Sequence, residues 1–361
     1  MKTVNANEDT ITAQHHHILW RMKVPPMGVA KRRDFWIVPA GTQILRMRHN
    51  ITPYCLHGDD IVLVETPPQI TLAGAPFLYR QQYRYAMHVY TMPQLSFCWA
   101  MNNRDRPPAP IFICGMGRSG STLLANILKA SPQMIVYDEP DVYTQMSSIG
   151  GKHQGLIAAI TASFARHDQR LVLKQRSLVS YLIPQLHAVF PDARFVFLYR
   201  NPVDWVQSNL RMVLRYRLPE WVVRRALRPI IEPYLDVTDI SQFDRMSMIE
   251  IAALLWVKFM QLGATFITEG LPILPLHYDD LITMPRETLS HVVTFCDLAT
   301  DDFASLLGVS GYDSQAGTLL ARGNLPKLSL TAEQVKQIDQ VIDRYGWSGN
   351  ARLNDLPNSR C

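Results

Sequence analysis

Cysteine is scarce in this chain of 361 residues: five, at positions 55, 98, 114, 296 and 361. Their number is odd and their spacing fits neither a disulfide framework nor a zinc ribbon, so they read as reduced thiols. Charge is also sparse. Only 19% of residues are Asp, Glu, Lys or Arg, and the net charge is +5, which argues against a nucleic-acid stripe and suits a small anionic ligand. The first nine residues lack an apolar signal core, and no uninterrupted apolar run reaches the length of a membrane span. A cytoplasmic protein without a transmembrane segment and without a nucleic-acid partner is therefore expected. No internal repeat or low-complexity tract is present. With 47% hydrophobic residues, the chain can bury a large core and should form about two domains.

Against these absences stand two segments about eighty residues apart. The first is Ile111-Phe112-Ile113-Cys114-Gly115-Met116-Gly117-Arg118-Ser119-Gly120-Ser121-Thr122-Leu123-Leu124, and the second runs from Arg194 through Tyr199-Arg200-Asn201-Pro202 to Ser208. Each reads as a buried strand, a turn and a helix start, where backbone amides and the helix dipole hold anions. Two such sites in one parallel sheet point to a ligand phosphorylated at both ends. The first segment has the frame of a triphosphate-binding loop, with Gly115, Gly120 and Thr122 in place, but the lysine is missing. Ser121 stands where that lysine would reach the outer phosphates, and the basic residue sits earlier, at Arg118.

Proline and glycine punctuation divides the rest. Residues 1–17, ending in His15-His16-His17, read as a flexible arm in which a metal site is disfavoured for want of a carboxylate or cysteine partner. Residues 18–107 carry short apolar runs at Asp34–Val38, Ile61–Val64 and Gln69–Leu72, the pattern of a small antiparallel sheet, followed by the Pro-rich linker Arg104–Pro110. Residues 108–361 alternate strands and helices, so the fold class expected is α/β: a P-loop-like parallel sheet flanked by helices, with an N-terminal β-rich extension. Strands are expected at 134–137, 170–174, 194–199 and 272–276, and helices at 179–190, 202–216, 246–268 and 285–297. The Arg-rich stretch 210–229 reads as an amphipathic helical insertion with a solvated basic face.

The two phosphate segments resemble those of the sulfotransferases that use 3′-phosphoadenosine 5′-phosphosulfate (PAPS) as donor, over roughly residues 110–298 with a weaker echo to about 345. The resemblance implies a metal-independent transfer of a sulfuryl group to a hydroxyl or amine acceptor. It assigns the donor's 5′ end to Gly117, Arg118, Ser119, Gly120, Ser121 and Thr122. The 3′-phosphate falls to Arg200 and Ser208, with Arg322 a faint echo of the segment that closes over it; the Lys and Trp of that pattern are missing. Lys174, ending the strand Leu171-Val172-Leu173, matches the lysine that donates to the departing bridging oxygen, with Arg118 beside the reacting group. The histidine that cytosolic members place two residues after this lysine is absent from Lys174-Gln175-Arg176-Ser177. Tyr137-Asp138-Glu139-Pro140 instead resembles the tyrosylprotein branch, which makes Glu139 the expected base, with Asp138 as the alternative and a raised pKa anticipated. His277-Tyr278-Asp279-Asp280-Leu281 resembles a segment after the family's last core strand, and reads equally as part of the site and as a strand exit with a helix cap. The acceptor stays open between peptide tyrosine, carbohydrate, lipid and metabolite, and a homo-oligomer is compatible with the sequence. The rivals are a P-loop small-molecule kinase, opposed by Ser121, and a nucleotide-binding protein without activity.

Overall fold

The computed structural model describes residues 10–24, 28–102, 107, 109–149, 151, 153–166, 168–215, 219–232, 235–298, 326–347 and 352–356. Two five-stranded sheets organise them. The first is antiparallel and contains β1 (Thr10–Arg21), β2 (Phe35–Arg46), β3 (Ile51–His57), β4 (Asp60–Glu65) and β5 (His88–Pro93), in the order β2-β1-β5-β4-β3. The second contains β6 (Ile111–Gly115), β7 (Met134–Asp138), β8 (Arg170–Lys174), β9 (Arg194–Tyr199) and β10 (Ile273–His277), in the order β10-β9-β6-β8-β7. It is a parallel sheet, with β7 registered on β8 and β9 on β10. Its strands are almost wholly buried, and their near-continuous Ile, Leu, Val and Phe runs are what a sheet covered on both faces requires.

The chain divides into two compact units, residues 1–112 with 132–193, and residues 113–131 with 194–361. The expected division near residue 107 runs differently, since the first unit joins the N-terminal sheet to the segment that carries β7 and β8. That unit also holds α1 (Leu78–Tyr85), α2 (Gln94–Met101), α4 (Asp141–Ile149), α5 (Gln154–Phe164) and α6 (Ile183–Val189). Phe35, Tyr54, Val62, Val64, Tyr79 and Val89 form a buried cluster on the antiparallel sheet. Gln145 of α4 ties to β3 and to the chain before β2: its Oε1 accepts from Leu56 N at 2.6 Å and its Nε2 donates to Ala30 O at 3.1 Å.

Two expectations fail in this unit. Residues 10–17 are not a flexible arm, because β1 runs through them, paired with β2 from Thr10 onward and with β5 as well over Gln14–His17. Gln69–Leu72 is not a strand; after β4 the chain turns through Pro67 and Pro68, which lack the donors a ladder needs.

The second unit contains α3 (Ser121–Leu128), α7 (Pro202–Arg215), α8 (Glu220–Ile231), α9 (Val237–Gln242), α10 (Met248–Thr268), α11 (Tyr278–Thr283), α12 (Pro285–Phe295) and α13 (Ala332–Arg344). The expected insertion at 210–229 resolves into the end of α7 and most of α8. α10 opens on a capping box, in which Ser247 Oγ accepts from Glu250 N at 3.2 Å while Glu250 Oε2 accepts from Ser247 N at 2.6 Å. By length and composition α10 could cross a membrane, with mean hydropathy 1.5, yet 61% of its apolar window is buried inside the protein. Its capping box and burial mark it as a core helix.

Candidate active site

The second unit builds an anion cradle from one short stretch of chain. β6 delivers Gly115 against β9, where Met116 N donates to Leu198 O at 2.9 Å. Gly115 has φ +109, and a Cβ there would lie 2.2 Å from Leu198 O, so only glycine lets the loop leave the sheet at this point. Gly120 caps α3 at φ +89 with the Tyr278 ring beside it, 2.7 Å from where a Cβ would stand. Between them Arg118 is held at φ +67, a backbone strain of the kind that collects at functional loops. The amides opening α3 have no side-chain cap, which leaves the helix terminus suited to an anion.

Residues from the second phosphate motif meet this loop within the same unit. Arg118 Nε donates to Ser208 Oγ at 3.2 Å, and the Trp205 indole donates to Gly117 O at 2.6 Å. Asn201 caps α7, its Oδ1 accepting from Asp204 N at 3.0 Å. Arg200 is fixed by stacking on Tyr278, 4.4 Å from the ring centroid, and by Asp204 at 3.7 Å. Its Nε and the buried hydroxyl of Ser119 have no hydrogen-bond partner among the described residues, which leaves both able to bond an anion at this loop.

The first unit assembles a different site, made of side chains. β7 lies parallel to β8 with Asp138 opposite Lys174, so Glu139, the next residue, arrives at the strand exit beside that lysine. Glu139 N donates to Lys174 O at 2.7 Å, and Lys174 Nζ forms an ion pair with Glu139 Oε1. Glu139 adopts φ +55 to make this turn. Arg176 extends the cluster, 2.7 Å from Asp141 Oδ1 and 3.5 Å from Glu139 Oε2, although its Nε–H is not aligned for a hydrogen bond to Asp141. The N-terminal segment completes it. Ala30 N donates to Asp141 Oδ2 at 2.7 Å, Arg176 donates to Gly28 O at 3.0 Å, and the guanidinium lies over Tyr79 at 5.2 Å.

Charge in this cluster departs from the expected raised pKa of Glu139. Burial alone pushes that carboxyl up, but the Lys174 ammonium and the Arg176 guanidinium outweigh it and hold Glu139 below its ordinary range. The raised group is Asp141, which burial pushes up to about 7 against the pull of Arg176. Asp138 is almost fully buried. Glu139 thus forms the ion pair with Lys174, and Asp141 carries the raised pKa.

Among the residues anticipated from sequence, Gly117, Arg118, Ser119, Gly120, Ser121, Thr122, Arg200 and Ser208 fall together in the second unit, and Glu139 and Lys174 fall together in the first. Arg322 lies outside the described residues. Asp141, Arg176, Tyr79 and Trp205 carry no site role in the sequence reading, whereas Tyr278 lies in the segment 277–281, which reads equally as a site element and as a helix cap. Arg176 carried one detectable signal, a second cation two residues beyond Lys174.

Comparison with known proteins agrees with these motifs. The model of a sulfotransferase family matches residues 110–155 and 152–302, more than half of the chain. A search of curated proteins found no match. Solved structures with some likeness include the sulfotransferase domain of the curacin biosynthetic pathway, with 16% identity, a TM-score of 0.40 and coverage of 68% of this chain and 99% of that one. Another is the sulfotransferase domain of the Synechococcus PCC 7002 olefin synthase, with 18% identity, a TM-score of 0.39 and coverage of 70% and 98%. A third is a mouse sulfotransferase complexed with PAP, with 11% identity, a TM-score of 0.40 and coverage of 71% and 91%. On the extent of the family match, the chain belongs to the sulfotransferase family.

Proposed function

We propose that the protein transfers a sulfuryl group from PAPS to a hydroxyl-bearing acceptor, in line and without a metal ion. The observation that carries this reading is the pairing of Arg118 with Ser208, which joins the lysine-free glycine loop to the second phosphate motif in one cradle. A donor with phosphate at both its 3′ and 5′ ends matches that pairing. The loop amides from Gly117 to Thr122, with the hydroxyls of Ser119, Ser121 and Thr122, would hold the 5′ end, and Arg200 with Ser208 the 3′-phosphate. When bound, the donor supplies an activated sulfuryl group whose leaving oxygen gathers negative charge.

Lys174 is assigned to neutralise that oxygen and Glu139 to accept the acceptor's proton. Glu139 is already ionised, as a base must be, and its ion pair with Lys174 orients both groups. Arg176 and Asp141 position Glu139 from behind, and the backbone of Gly28 and Ala30 gives the N-terminal extension a part in fixing this cluster. Ser121 in place of a lysine disfavours the kinase reading, since nothing at that position balances a γ-phosphate.

Calorimetric titration with 3′,5′-adenosine bisphosphate, and separately with ATP and Mg²⁺, tests the donor. Micromolar bisphosphate binding, about −8 kcal/mol, abolished in the double variant Arg200→Ala, Ser208→Ala, is expected. Preference for ATP with Mg²⁺ would overturn the reading.

A further inference from the structure

Three imidazoles meet on one face of the antiparallel sheet, within the first unit and apart from the residues assigned above. His15 and His17 alternate along β1, so both side chains leave the same face. β5 runs antiparallel beside β1 and sets His88 opposite His17 and Tyr90 opposite His15, which brings His88 onto that face as well. His16 points the other way and bonds Thr91 Oγ1 at 2.9 Å.

The geometry is close to that of a ligand set. His15 Nε2 and His88 Nδ1 are 3.1 Å apart, the His15 ring centroid is 4.9 Å from those of both His17 and His88, and one ring nitrogen from each lies within 4.8 Å of the other two. Four-coordinate zinc with Zn–N bonds of about 2.0–2.1 Å spaces its ligand nitrogens by roughly 3.3–3.4 Å. His15 and His88 stand near that spacing already, and His17 is exposed and can turn in by side-chain rotation. We propose that His15, His17 and His88 bind a divalent transition metal ion of the zinc class, with a fourth position open to solvent beside His17.

The surroundings fit such an ion. The Gln43 side-chain amide lies 3.1 Å from His15 Nδ1; turned over so that Oε1 faces the ring, it accepts the Nδ1–H that an imidazole ligating through Nε2 must carry. Glu65 sits opposite His88 across β4 and β5 and accepts from Tyr90 OH at 2.7 Å, adding a carboxylate to the same face. Imidazole donors select zinc, copper or nickel over magnesium or calcium, and such an ion would clip β1 to β5.

The test uses the full chain, stripped of metal, titrated calorimetrically with zinc and, in parallel, with cobalt followed by visible absorption. One equivalent should bind, with cobalt giving the intense bands of a four-coordinate site. His17→Ala and His88→Ala should each weaken binding by about tenfold or more, while His57→Ala, an exposed histidine on β3, should leave it unchanged. Because His17 is exposed, its variant keeps the test open even if His88→Ala fails to fold. Failure of the wild-type protein to take up zinc would overturn the proposal, as would binding that neither substitution alters.

Discussion

The anion cradle and the carboxylate cluster solve different problems with different materials. The cradle in the second unit is chiefly backbone: a strand exit, two glycines, one strained arginine and the first amides of α3. The cluster in the first unit is chiefly side chain, four charged groups from two strand exits braced by the backbone of residues far earlier in the chain. A backbone site depends on glycine and tolerates change in its side chains one at a time. A side-chain site has no such tolerance, because removing one partner leaves another charge buried and unpaired.

The largest effect should therefore come from the cluster. Glu139→Gln and Lys174→Ala are each expected to lower kcat by about 10² to 10⁴ while bisphosphate affinity, measured by calorimetry, stays near wild type. Equal loss of turnover and of donor binding would erase the distinction between the two sites. In the cradle, Gly115→Ala should act on folding instead. Its Cβ would meet backbone at Leu198, which cannot swing aside, so urea denaturation should show a loss of about 3 kcal/mol or more.

Next in size is a pH effect peculiar to the cluster. Asp141 has its pKa raised by burial from 3.8 to about 7, so the folded state binds its proton more tightly than the unfolded chain does. Its contribution to stability is full below about pH 4 and is lost as pH rises towards 7, with a limiting slope of about 1.4 kcal/mol per pH unit. Asp141→Asn should flatten that part of the stability profile, measured by denaturation at a series of pH values. Glu139 acts in the opposite sense, because its folded pKa is held low and its contribution fades only in acid, below its ordinary value of 4.5.

The smallest effect sharpens the contrast from the cradle's side. Ser119 Oγ is buried without a hydrogen-bond partner, so Ser119→Ala should change folding stability by less than about 0.5 kcal/mol. The same variant should weaken bisphosphate binding by up to roughly tenfold, the worth of about one hydrogen bond. A clear loss of stability in Ser119→Ala would mean that this hydroxyl serves the fold.

How much could be read in advance follows from the same contrast. The strand-turn-helix at 111–124 and the strand at 194–199 were legible because the elements are local and their apolar runs are continuous. β1 was misjudged because its polar residues, three of them histidines, hide the alternation that marks a strand; its place is decided by pairing with β2 and β5. The pKa of Glu139 moves opposite to the expectation because strand pairing sets the Lys174 ammonium, and then the Arg176 guanidinium, against its carboxylate.

What the sequence by itself determined is the strand-turn-helix frame at 111–124 and the strand running into a helix start at 194–208, since glycines, caps and strand exits act within a dozen residues of one another. Only the tertiary structure decided that Glu139 meets Lys174 and Arg176, that Asp141 takes the raised pKa, and that His88 joins His15 and His17. Each of those depends on how residues distant in the chain are brought together by strand pairing and packing, and hydrophobic pattern alone does not encode that register.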